Sequence, residues 1–207
     1  MTVERIPHPP FLTEALKGFP TTVIEAGTDL WRVHRVVHGP WFFGQSGRFG
    51  LEAPYGSCYV AMDPMSAISE TVVRGLTILH EHDLQDRCIR QLSLPHRVIV
   101  ANLKDSAAAG FGVTRNFGTE EPYDRTREWA RAFFRMNLEG IHYWPRYDLV
   151  DGSASVALFG TAGERKSWRR GRCSSLSAKQ WRQRIQKDLG VTILGLPRDA
   201  DLDFVTL

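Results

Sequence analysis

Arg32, Arg48, Tyr59 and Glu70 follow one another within a short stretch of the chain, in the order arginine, arginine, tyrosine, glutamate. Their chemistries complement a phosphate-bearing nucleotide. A guanidinium donates to phosphate oxygens in bidentate geometry, each charged hydrogen bond contributing roughly 1.5–3 kcal/mol. A phenol offers an aromatic surface against which a planar heterocycle can rest. A carboxylate can orient a ribose hydroxyl, stabilise developing positive charge or polarise a nucleophile, assistance typically worth ~10²–10⁴-fold. Each residue also has an ordinary alternative. An arginine in a glycine-rich turn can hydrogen-bond loop carbonyls, and a strand tyrosine can be core. Glu70 precedes Arg74 by four residues, the spacing of an exposed ion pair of little energetic weight.

The elements that would carry these side chains can be read from periodicity. Trp31, Val33 and Val37 alternate with Arg32, His34 and Val36, which predicts a strand over Leu30–Val37 with Arg32 and His34 on one face. Gly39 to Gly56 is a glycine-rich loop carrying Trp41, Phe42, Phe43, Phe49 and Tyr55. A strand over Ser57–Ala61 follows, then Asp63-Pro64 as N-cap and first helical residue. Met65, Ile68, Val72, Leu76 and Leu79 predict a helix from Pro64 to about Leu79, with Glu70 off the apolar stripe. Further along, strands are expected at Arg97–Leu103, Ile141–Tyr147, Ala154–Phe159 and Val191–Leu194. The two around Asp151-Gly152 suit a hairpin. Helices are expected from about Pro122 to Asn137, with Trp129, Phe133 and Phe134 as core, and near Ala178–Leu189.

The chain has 207 residues, 43% hydrophobic and 24% charged, which is ordinary globular composition and excludes a disordered or fibrous chain. No apolar run approaches the ~18–20 residues that span a bilayer, and Glu4, Pro7, Pro9 and Pro10 stand where a signal peptide would be apolar, so a cytoplasmic protein without membrane contact is expected. Cys58, Cys88 and Cys173 form no C-x-x-C pair and are expected to be reduced thiols. A net charge of +3 gives no reason to expect nucleic acid as a direct partner. The signatures of dinucleotide-fold dehydrogenases, P-loop NTPases, zincins and α/β-hydrolases are all missing. His80 and His82 flank Glu81 but do not share a helix face, and no third ligand accompanies them, so no metal site is expected.

The ordered residues resemble those of the RES-domain family, toxin components of bacterial toxin–antitoxin pairs. The similarity runs through Trp31-Arg32-Val33, Gly47-Arg48-Phe49, Cys58-Tyr59-Val60-Ala61 and Asp63 to Glu70, and continues through Tyr123 to Trp129, Gly140-Ile141-His142-Tyr143 and Val156 to Phe159. The resemblance implies an ADP-ribosyltransferase-like α+β fold, with a small mixed or antiparallel sheet and flanking helices. It implies an enzyme that destroys NAD⁺ by phosphorolysis or hydrolysis, with NAD⁺ as substrate, inorganic phosphate as an optional co-substrate and no prosthetic group. The family's arginine, tyrosine and glutamate carry over onto Arg48, Tyr59 and Glu70 as catalytic residues. Arg32 joins Arg48 and Tyr59 in holding the nucleotide. The family's serine, expected just after the strand at Ile141, is replaced: the chain reads His142-Tyr143-Trp144-Pro145-Arg146, with Pro145 at the serine position. Ser153 and Ser155 are the substitutes the sequence offers for the nucleotide-binding role.

The expected organisation is an irregular leader over 1–28, a RES-like catalytic core over 29–160 and a basic elaboration over 161–207 packed on the same domain. That last stretch gathers Arg165, Lys166, Arg169, Arg170 and Arg172 around Trp168, which suits a solvated surface or an acidic partner better than nucleic acid with Trp168 stacking on a base. The resemblance implies a small antitoxin as partner, with nucleic acid reached only through it; self-association is left open. Two other functions fit the same residues: a protein ADP-ribosyltransferase, and a nucleotide-binding or interaction module whose catalysis is impaired by Pro145.

Overall fold

The computed structural model of the chain describes residues 5–10, 13–147 and 153–195. The first half carries β1 (Thr21–Ile24), β2 (Asp29–Arg35), β3 (Phe42–Phe43), β4 (Tyr55–Ala61), α1 (Pro64–Ile68), β5 (Ile78–His80), α2 (Glu81–Leu84), β6 (Arg87–Ser93) and β7 (Val98–Asn102). The second carries α3 (Asp124–Arg135), β8 (Gly140–Tyr143), β9 (Ser155–Thr161), β10 (Gly163–Glu164), β11 (Cys173–Ser175), α4 (Lys179–Leu189) and β12 (Thr192–Leu194). Eight strands form one sheet in the order β1-β7-β8-β9-β4-β2-β6-β11, mixed because β7 and β8 run parallel while the other neighbours are antiparallel. The pairs β3–β10 and β5–β12 are small satellites. The architecture is the α+β arrangement of mixed sheet and flanking helices that the sequence implies.

Strand alternation sorts the core into two layers. Leu30, Cys58, Val60, Leu92, Val100, Val156 and Leu158 point to one face and pack with Trp41 and Phe43. The opposite face is covered in two separate places. Over its β7–β8–β9 side, Ala101, Ile141 and Ala157 meet Trp129, Ala130 and Phe133 of α3. Over its β4–β2–β6 side, Val33, Ala61 and Ile89 meet Ala67 and Ile68 of α1 and Ile185 of α4. Each large side chain buried in this way contributes roughly 1.5–3 kcal/mol. A cavity lies between the two covers.

Several expectations are corrected. The helix expected to reach Leu79 is α-helical only to Ile68, continues as a π-helical turn over Ser69–Val73 and stops at Arg74 and Gly75, both left-handed at φ 49° and 82°. The apolar spacing misleads because Leu79 is buried as a residue of β5, not on the helix stripe. The stretch 1–28 is not irregular throughout: Thr21–Ile24 forms the sheet's edge strand beside β7, though too short and too exposed to alternate visibly. Cys88 and Cys173 are disulfide-bonded, and Cys58 alone is a free buried thiol. The two bonded cysteines are 85 residues apart in sequence and meet because β11 pairs with β6, which no local spacing signals. Trp168 is half-buried and packs in edge-to-face contact with Trp41 and Phe43, so it is part of the packing on that sheet face. Asp151-Gly152, the proposed hairpin tip, lies outside the described residues; the strands on either side of it, β8 and β9, do pair antiparallel. No helix among the described residues is long and apolar enough to cross a membrane.

Candidate functional site

Register builds the wall of the site. Tyr143 on β8 is opposite Ser155 on β9, Ser155 is opposite Ala61 on β4, and Ala61 is opposite Trp31 on β2. Cross-strand partners share a face, so these four form one row, with Tyr59 two residues along β4. Glu70 reaches them from the other side. Asp63 caps α1 by accepting from the Ser66 amide at 2.8 Å, Pro64 opens the helix, and the chain then widens into the π turn that holds Glu70. Such turns within helices recur at functional sites. The resulting cavity, about 220 Å³, is lined by Trp31, Tyr59, Glu70, Thr71, Tyr143 and Ser155 among others.

Tyr59 is fixed by the glycine-rich turn. Its hydroxyl accepts from the Phe49 amide at 2.8 Å. The turn is fastened in its own right: Arg127 donates to the Gly47 carbonyl at 3.0 Å, Thr126 to the Arg48 carbonyl at 2.7 Å and Ser57 to the Phe49 carbonyl at 2.6 Å. Helix α3, which carries Thr126 and Arg127, thereby sets the height of the phenol. Burial pushes the Tyr59 hydroxyl well above the ordinary phenol range, against the opposing pull of the Arg48 and Arg127 charges. Burial also raises Tyr143, helped by the nearby Tyr59 and Glu70, while the neighbouring Ser155 hydroxyl works the other way. Both phenols are therefore protonated at neutral pH.

Glu70 is half-buried, and its carboxylate accepts from the Tyr147 amide at 2.5 Å. The ordinary explanation of its spacing from Arg74, an i,i+4 pair on a regular helix, does not apply here. The turn is π-helical and Arg74 is left-handed.

The two arginines stand elsewhere. Arg48 is buried at 9% exposure; its Nη1 donates to the carbonyls of Phe117 at 3.0 Å and Glu120 at 3.1 Å, and its guanidinium carbon lies 5.0 Å from the Tyr123 ring centre. It sits behind Tyr59, close enough to influence both phenols, and does not line the cavity. The alternative reading of an arginine tying loop carbonyls is the one its Nη1 satisfies. Arg32 shares the reverse face with His34: its Nη1 donates to the carbonyls of Pro40 at 2.7 Å and Phe42 at 3.1 Å and meets the Cys58 sulfur at 2.7 Å. It borders the cavity through the strand it belongs to, and its guanidinium points away. Of the two candidate serines, Ser155 lines the cavity; Ser153 does not, and its carbonyl accepts from Lys104. Pro145 is not part of the lining.

Tyr143, Trp31 and Thr71 complete the lining and carried no role in the sequence analysis. The available signal was alternation: Tyr143 is in phase with Ile141, which faces the α3 cover. His80 and His82 stack at 5.3 Å, with His80 capping α2, and among the described residues no group of three or more metal-ligating side chains occurs.

Comparison with known proteins places this geometry. No curated protein matches the chain. The fold is similar to that in the crystal structure of the M.tuberculosis MbcT-MbcA toxin-antitoxin complex, with a TM-score of 0.63 at 11% identity, over 83% of this chain and 94% of that one. The overall fold is accordingly ADP-ribosyltransferase-like. The RES domain family model matches residues 29–173, from the first residue of β2 to the first of β11. With well over half its length so matched, the chain belongs to the RES-domain family.

Proposed function

We propose that the chain is the toxin of a toxin–antitoxin pair and cleaves the nicotinamide–ribose bond of NAD⁺. The observation that carries this reading is the meeting of Tyr59, Glu70, Tyr143 and Ser155 on one cavity in a RES-family fold. The reaction breaks the C1′–N bond with its electron pair passing to the ring nitrogen, which neutralises the pyridinium. The oxygen of water or inorganic phosphate then bonds to C1′ and gives up a proton. Glu70, oriented by the Tyr147 amide, is suited to accept from a ribose hydroxyl and to offset the positive charge that grows at C1′. Trp31, Tyr59 and Tyr143 supply aromatic surface for the departing ring, and Ser155 a hydroxyl beside it. The antitoxin partner is supported by the complex in which the similar fold was crystallised.

Nicotinamide release, followed by chromatography with and without phosphate, tests the reading. The expected outcome is release by the purified chain, slowed at least ~10²-fold in Glu70→Gln. A Glu70→Gln protein as active as the parent overturns the assignment. Attachment of labelled ADP-ribose to cellular protein would identify a protein ADP-ribosyltransferase instead.

A further inference from the structure

The cavity around Glu70, about 220 Å³, falls below the roughly 300–1,000 Å³ of pockets that enclose a drug-sized ligand. A second cavity of about 830 Å³ opens on the same sheet face at β2, β6 and β11. The two share Trp31 as a common wall. Register makes the connection continuous: Gln91 on β6 is opposite Trp31, so Tyr143, Ser155, Ala61, Trp31 and Gln91 form one row across five strands. Four strand spacings of ~4.8 Å make this row roughly 19 Å long, on the scale of an extended dinucleotide.

The lining of the second cavity has the chemistry of a nucleotide site. Arg169 and Arg172 are exposed there, and neither forms an ion pair among the described residues. Trp31 is half-buried and meets the buried Trp181 edge-to-face, with centroids 6.5 Å apart and an interplanar angle of 68°, so Trp31 is the ring that can present a face to a heterocycle. Gln91 and Gln180 add amides that can both donate and accept. Asp29 is the one acidic side chain in the lining; it opposes phosphate but accepts from a ribose hydroxyl. Arginines, an aromatic face and a hydroxyl acceptor together fit a nucleoside diphosphate better than an acidic peptide.

We propose that this second cavity holds the adenosine diphosphate half of the dinucleotide, which crosses Trp31 from the cavity at Glu70, with Arg169 and Arg172 on the phosphates. The proposal rests on the NAD⁺-cleaving reading and extends it, giving a function to the basic stretch at 169–172. Trp41 is held by the Arg169 carbonyl and not by its side chain, so removing the guanidinium leaves that packing in place.

Two measurements test it. Calorimetric titration with ADP is expected to show binding that weakens about tenfold or more in the double variant Arg169→Ala/Arg172→Ala and is retained in Glu70→Gln. The ratio of kcat/KM for NAD⁺ to that for nicotinamide mononucleotide, which lacks the adenylate, is expected to fall about tenfold in the same double variant. ADP affinity and ratio both unmoved would overturn the subsite while leaving nicotinamide release intact. Loss of ADP binding in the double variant of a chain that cleaves no NAD⁺ would support the subsite and reject the catalytic reading.

Discussion

A Cβ placed on Gly47 would lie 2.8 Å from the Tyr59 hydroxyl, and Gly47 itself holds φ +106°, a conformation that side chains other than glycine's rarely adopt. The turn and the phenol therefore require each other. Gly47→Ala combines backbone strain with displacement of the ring from the Phe49 amide, and a loss of about 1–3 kcal/mol of stability is expected. Chemical denaturation measures that loss. Nicotinamide release should fall with it even at temperatures where the variant is fully folded, because Tyr59 no longer stands at its height in the cavity.

Arg48 makes a prediction opposite to that of a phosphate ligand. Its guanidinium satisfies two carbonyls of the 117–120 segment while nine-tenths buried. Arg48→Lys keeps the charge and loses the planar fork. The expected outcome is a stability loss of about 1.5–3 kcal/mol, with ADP affinity changed by less than about twofold. A variant of parental stability that fails to bind ADP would return Arg48 to the role the resemblance implied.

The strands and the residues on them were legible wherever one side chain in two was apolar. Leu30–Val37 and Ser57–Ala61 emerge within two residues of their observed limits, and Tyr59 and Glu70 line one cavity while Arg48 does not. Faces across strands were not legible. Arg32 and Tyr59 lie on opposite sides of the sheet because Trp31, not Arg32, is opposite Ala61, and that register is set by non-local pairing. Strand β6 was missed because Arg87, Arg90 and Gln91 break up its apolar pattern, although it pairs with β2 along seven residues. With β6 missing, its partner β11, the cavity between them and the Cys88–Cys173 bond were out of reach as well. The helix that carries Glu70 ended early through the backbone at Arg74 and Gly75, for which the apolar spacing gave no warning.

His142 links stability to acid. It lies on the reverse face from Tyr143, hydrogen-bonded through Nδ1 to Asn102 at 3.0 Å, and burial, with the Lys104 charge adding to it, lowers its pKa to about 4. Because the unfolded imidazole titrates near 6.5, the unfolded chain binds more protons in between. Stability is thus fully present above pH ~6.5 and declines as pH falls towards 4. Burial lowers His34 as well, so its contribution has the same sign. Partial exposure limits the His142 share to the order of 1 kcal/mol at pH 5. His142→Gln, which can still donate to Asn102, should lose less stability between pH 7 and pH 5 than the parent in urea titrations; equal losses would assign the acid sensitivity to other groups.

The two serines separate the row proposed to be catalytic from its surroundings. Ser155 is 3% exposed, opposite Tyr143 in register and part of the cavity lining, whereas Ser153 precedes the strand and stands outside the lining. On the NAD⁺-cleaving reading, Ser155→Ala removes a hydroxyl beside the departing ring, costing about 1–2 kcal/mol in the transition state and about 5- to 30-fold in kcat/KM. Ser153→Ala should stay within about twofold of the parent. The comparison is made on nicotinamide release under matched conditions, with a denaturation curve for each variant. If Ser153→Ala proves the slower of the two, the row from Tyr143 to Trp31 is not where the departing ring sits, and the cavity loses its claim to the reaction.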